Sequence, residues 1–131
     1  MLTVGRDNWS GSISGEWERN EPSREDIYDA VAALDGQVRT EVSVNFDEPY
    51  QYLSVAGGPE HFLVTGELAD ESVVSLTNPT AGPGQVELVC GGQIASFELT
   101  QLVDIETARR AVDRFLDGFP SVLGPEWEVE Q

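Results

Sequence analysis

The stretch ELVCGGQIASFEL, Glu87–Leu99, sets two adjacent glycines between two strand-like runs. Val86, Leu88 and Cys90 alternate along the first run, and Gln93 to Leu99 form the second. A phosphate-binding loop needs its glycines to lead into a helix N-terminus, usually with Lys and then Ser or Thr. Gly91 and Gly92 lead into Gln93 and a strand instead. A two-residue primed turn requires positive φ, which glycine adopts at no steric cost. The stretch therefore reads as a β-hairpin.

Working back from the hairpin, strand signals continue to residue 40. Thr40, Val42, Val44 and Phe46 alternate with Glu41, Ser43 and Asn45. The turn DEPY leads to Tyr52–Ala56, the turn GGPE to His61–Leu68, and Asp70 with Glu71 separate that run from Ser72–Leu76. The loop TNPTAGPGQ then reaches Val86–Cys90, and its Gly82 and Gly84 have no cation nearby in sequence.

Helices flank this region. Ser23 can cap the first, Glu25 and Asp26 put negative charge in its first turn, and Gly36 follows it. Ile27, Ala30, Val31 and Leu34 make one apolar face. The second opens at Asp104 and runs to Asp117, with Gly118 as its stop. Its stripe is Ile105, Ala108, Val112, Phe115 and Leu116, and Glu106–Arg110 and Arg109–Asp113 are spaced as i,i+4 ion pairs. Such a paired, solvated face is favoured over an anion site. The expected fold is α+β: an antiparallel meander of about six strands, with two helices packed on one face. One domain spans residues 1–131, with 1–22 an irregular N-terminal segment anchored by Trp9 and Trp17, and 23–131 the core.

Composition narrows the function. Twenty-four Asp and Glu face seven basic residues, all arginine, for a net charge of −17. Such a surface repels nucleic acid and anionic lipid, so neither is expected as a ligand. The charge serves either solubility or a basic protein partner. No apolar run approaches the roughly 18 residues of a membrane span, and MLTVGRDNWSGS lacks a basic region followed by an apolar one. A cytoplasmic protein is expected, in keeping with a single cysteine that can form no internal disulfide.

Catalytic chemistry finds little support. Cys90 belongs on the inward side of its strand as a buried thiol, and as a nucleophile it would need a base such as His61 from another segment. One His and one Cys cannot build a zinc cluster without carboxylates, and DNWSG (Asp7–Gly11) lacks the later ligands of a calcium loop. No nucleophile-elbow pattern occurs. No catalytic residue, metal site or cofactor is expected.

GQVELVCGGQ (Gly84–Gln93), LVDIETARRAVDRFLDG (Leu102–Gly118) and PEWE (Pro125–Glu128), with LDGQVRTEVSV (Leu34–Val44) before them, resemble immunity-protein family 1 of bacterial polymorphic toxin systems. The likeness covers about residues 22–128. It implies a small cytoplasmic antitoxin that binds a toxin domain, often one acting on nucleic acid, deaminases included. An acidic protein can occupy the basic cleft of such a toxin with fast electrostatic steering. A regulatory module for another basic partner, and a small enzyme, stand as the alternatives. The chain itself is expected as a monomer or weak homodimer before complex formation.

The residues suggest a binding face. Acids in the inter-strand turns have no basic neighbour in sequence, and alternate turns of a meander emerge at one sheet end. Asp47, Glu48, Asp70 and Glu71 could share that end, with Tyr50 and Tyr52 as anchors. Ordinary solvated turns are the competing reading.

Overall fold

The structure, a computed structural model, describes residues 1–118 and 126–130. Pro125 of the PEWE stretch lies outside them. Local chemistry makes the two helices. Ser23 and Asp26 form a reciprocal capping box at the start of α1, Arg24–Ala32. Asp104 accepts from the Thr107 amide at 2.9 Å to open α2, Ile105–Leu116. Gly118 follows with φ of +97°, as expected of a stop.

The main sheet is antiparallel and seven-stranded. Its strands are β1 (Leu2–Arg6), β4 (Trp17–Asn20), β5 (Glu41–Asp47), β6 (Tyr50–Gly57), β7 (Phe62–Glu67), β8 (Val73–Leu76) and β11 (Trp127–Glu130), in the order β11-β8-β7-β6-β5-β1-β4. Two small ribbons stand apart from it: β2 (Trp9–Ser10) with β3 (Ile13–Ser14), and β9 (Gln85–Cys90) with β10 (Gln93–Glu98). The α+β class holds, but the expected meander is corrected. It comprises only β5 to β8, and the Gly-Gly hairpin leaves the sheet.

The ends of the chain supply the missing strands. The segment read as irregular, 1–22, contributes β1 between β5 and β4, with Val4 opposite Val44. The tail contributes β11, which pairs with β8 from Trp127↔Leu76 to Glu130↔Val73.

Strand parity divides the sheet into a core-facing side and an open side. Val4, Val42, Val44, Leu53, Val55, Val64 and Val74 point to the core and are fully buried. They share one hydrophobic cluster with Ile27, Val31 and Leu34 of the α1 region and with Val112 and Phe115 of α2. All five of these helix-region residues, expected in the core, are at most 2% exposed. The other side, called open here because neither helix's core residues point to it, carries Glu41, Ser43, Asn45, Asp47, Tyr50, Tyr52, Ser54, Thr65, Glu67 and Ser75 with Ala56, Leu63 and Val73 by the same registers, and Ser54 and Ala56 are buried on it.

Among the described residues neither Glu106–Arg110 nor Arg109–Asp113 closes as a direct ion pair, although the charge of Arg109 still lowers the Asp113 carboxyl. Asp113 accepts from Arg24 of α1 at 2.9 Å and from the Tyr28 hydroxyl, and Arg24 also binds Asp117. Arg109 stacks over Tyr28 at 4.5 Å, and Arg110 donates to Thr107 Oγ1 at 3.2 Å. Burial raises the Asp113 carboxyl, but hydrogen bonds from Tyr28 and Arg24 outweigh it and hold the group below its ordinary range. Cross-helix bonding wins because α1 and α2 lie side by side, so Arg24 can reach both carboxylates.

Candidate functional site

The two acidic turns do share an end of the sheet. Asp47 faces Tyr50 across the β5–β6 turn, and Glu67 faces Val73 before the β7–β8 turn that holds Asp70 and Glu71. Tyr52 sits opposite Glu67 and 6.1 Å from Tyr50, ring centroid to ring centroid. Tyr50 is 55% exposed while Tyr52 is half-buried. Desolvation first, then the nearby charge of Glu67, raises the Tyr52 hydroxyl. It therefore stays a neutral donor. Asp70 is engaged locally: its Oδ1 accepts from the Ser72 amide at 2.9 Å, and hydrogen bonding to Ser72 holds its carboxyl below the ordinary range. Asp47 lies 3.9 Å from the amino group of Met1. Glu130, opposite Val73, reaches the same end from β11.

The other end is held by a carboxylate that sequence reasoning considered only as a calcium ligand. Asp7 Oδ1 accepts from the amides of Thr40 at 2.6 Å and Glu41 at 3.0 Å. Its Oδ2 accepts from Trp9 Nε1 at 2.7 Å and from the buried Thr40 hydroxyl. Thr40 Oγ1 in turn accepts from the Gly92 amide at 3.0 Å. Gly91 and Gly92, with φ of +59° and +81°, form the primed turn that the sequence demanded. A Cβ on Gly92 would come within 2.3 Å of the Trp9 ring. The glycines thus serve both the turn and its docking beneath Trp9.

From that anchor the β9–β10 ribbon crosses the sheet. Gly91 lies by Glu41 of β5, and Leu88 packs on Gly57 of β6. Val86 and Cys90 share the strand side of the buried Leu88, but Cys90 is only partly buried rather than the buried thiol expected, while Ile94 on β10 is 66% exposed. Further along, a groove of about 1050 Å³ opens between the ribbon and the open side of β7, β8 and β11.

Cys90 and His61 are not brought together. Burial, with the charges of Glu41 and Asp7, pushes the Cys90 thiol up to about 11, so it is a protonated and poor nucleophile at neutral pH. His61 instead lines a separate cavity of about 400 Å³ with Glu60, Asn78, Asp104 and Thr107, and Cys90 is not part of that wall. Among the described residues no three His, Cys, Asp or Glu side chains are grouped to hold a metal ion. No helix among them is long and apolar enough to cross a membrane.

Strand parity also segregates charge. On the strands of the main sheet, arginine occurs only at Arg6 and Arg19, and both share the parity of the core residue Val4. They flank the Trp17 ring at 5.2 and 5.4 Å. Arg19 also pairs with Asp26 of α1 at 2.8 Å. The open side of those strands carries carboxylates and no arginine. No protein-family model, curated protein or solved structure matches the chain.

Proposed function

We propose that the chain is an immunity protein, of the immunity-protein family 1 type, that binds and neutralises a cognate toxin domain in the cytoplasm. In this reading both helices cover the core-facing side of the sheet and leave the open side to the partner. The observation that carries it is charge segregation: acids and two tyrosines at one end of an open sheet face without arginine. A toxin acting on nucleic acid, such as a deaminase, needs a basic cleft, and a surface of this sign accelerates its capture and repels its substrate. Asp47, Glu48, Asp70 and Glu71 supply the charge, with Tyr50 and Tyr52 as contacts. The chain contributes no chemistry of its own, uses no cofactor, and is a monomer or weak homodimer until it meets the toxin.

Co-expression with the toxin domain encoded beside it tests the reading. A stable complex and rescued growth are expected, and Cys90→Ser and His61→Ala should protect as well as wild type. A neighbouring gene product that neither binds nor harms the cell would refute the immunity role. Loss of protection in a well-folded Cys90→Ser variant would favour the enzyme alternative.

A further inference from the structure

The groove between the β9–β10 ribbon and the open side of the sheet has a lining suited to one kind of occupant. Leu63 and Phe97 give it apolar surface, and Glu98, Glu128 and Glu130 give it charge. No arginine or histidine is among its described lining residues. Two strands on its walls, β10 and β11, each take part in a single ladder among the described residues. Each therefore offers one backbone edge of the kind that pairs with an added strand.

The spacing of the acids is informative. Glu128 and Glu130 are two residues apart on β11, opposite Ser75 and Val73, so both project to the open side. Successive same-side residues of a strand repeat at about 7 Å. An extended chain alongside β11 repeats its own same-side residues with that period, whereas adjacent basic residues would point to opposite sides.

We propose that this groove takes an extended, strand-like segment of the partner protein carrying Arg or Lys at every second position. The basic side chains pair with Glu128 and Glu130, and Glu98 on the opposite wall adds attraction. The intervening side chains point away from these acids. The partner's being a toxin rests on the function proposed above, but the recognition itself does not. Glu130 joins the groove to the acidic end of the sheet, so a partner seated there also meets Asp70 and Glu71.

The test uses the whole isotope-labelled chain and two blocked peptides of identical composition. One alternates Arg and Thr, and the other gathers its arginines into one block. The alternating peptide should bind roughly tenfold more tightly at low salt, the size that two partly exposed ion pairs supply. Its amide shifts should centre on Leu63, Thr65, Ser75, Phe97 and Glu128. The double variant Glu128→Gln, Glu130→Gln should lose the preference. Glu98→Gln, on the separate ribbon, should weaken both peptides by a few-fold and keep it. Equal affinity for the two peptides, or shifts centred on the Asp47 and Asp70 turns, would overturn the proposal. A captured toxin that leaves the groove amides unshifted sinks the groove and spares the proposed function. Alternating-peptide binding with a harmless neighbouring gene product does the reverse.

Discussion

Asp7→Ala should undo the joint between the N-terminal segment, β5 and the β9–β10 turn. The carboxylate accepts four hydrogen bonds, from Thr40 N, Glu41 N, Trp9 Nε1 and Thr40 Oγ1. Bonds to a charged acceptor contribute about 1.5–3 kcal/mol each when removed singly, but the four share one group and are not additive. Asp7 is half-buried, so water can re-solvate part of the loss. Thr40 is fully buried and its amide and hydroxyl cannot all find new partners. The net cost is therefore about 2–4 kcal/mol. For a chain of this size that lowers the melting temperature by roughly 8–16 °C.

Denaturant unfolding measures the total, and native-state hydrogen exchange measures its location. Gly92 donates to Thr40, whose hydroxyl is oriented by Asp7. Protection of the Gly92, Thr40 and Glu41 amides should fall more than that of core amides such as Val55. A loss under 1 kcal/mol, or unchanged Gly92 protection, would show that the ribbon is held by Leu88 and Trp9 packing alone.

Three further outcomes follow from the packing and charges. Phe115→Ala removes a fully buried ring that sits 5.2 Å from Phe46, and should cost about 3–5 kcal/mol in chemical denaturation. Asp35 accepts from the amides of Gln37, Val38 and Arg39 at 2.9 to 3.0 Å, led by the Arg39 backbone bond, and its carboxyl is held below the ordinary range. A depressed folded value means that its stabilisation is present above the unfolded pKa of about 3.9 and is lost as pH falls through the folded one. Melting curves should therefore drop more steeply below pH ~4 for wild type than for Asp35→Ala. If the proposed toxin partner binds there, reversing Asp47, Glu48, Asp70 and Glu71 to Arg should slow its association and flatten the salt dependence, as read by stopped-flow mixing. Unchanged rates would put the contact elsewhere.

What was legible in the sequence was what short-range chemistry decides. Ser23 with Asp26, and Asp104 with Thr107, satisfy helix-end amides within three residues of themselves. The Gly-Gly turn needs positive φ whatever surrounds it. The four-strand meander follows from alternation joined by short turns, and it brings the Asp47 and Asp70 turns together without further information. The rest depends on distant partners. In β1 only Val4 is fully buried, and Gly5 and Arg6 mask the alternation. Its place beside β5 is decided by pairing across some forty positions, Val4 with Val44. In β11 the residues WEVE are acidic because an edge strand meets water, which hides it among the other acids. The ribbon's departure from the sheet is decided by Asp7, Trp9 and Thr40, none of which neighbours it in sequence. For the same reason nothing local in the sequence places Glu98, Glu128 and Glu130 on one groove.

A net charge of −17 cannot by itself explain recognition, since a uniformly acidic surface would attract any basic protein equally. Specificity requires the charge to be uneven. Here Arg24 ties Asp113 and Asp117, Arg19 ties Asp26, and Arg109 covers Tyr28, so much of the basic complement is spent around the helices. Arg24, like any arginine, is protonated at every physiological pH, and its bonds to Asp117 and then Asp113 raise it further. On the open side Glu128 and Glu130 sit at positions that strand geometry spaces regularly, with no ion pair among the described residues. In the proposed complex, long-range attraction brings a basic partner in, while the two-residue period of Glu128 and Glu130 and the tyrosine pair at Tyr50 and Tyr52 decide whether it stays. Salt should therefore act chiefly on the association rate, and conservative changes at the tyrosines or at the β11 acids chiefly on dissociation.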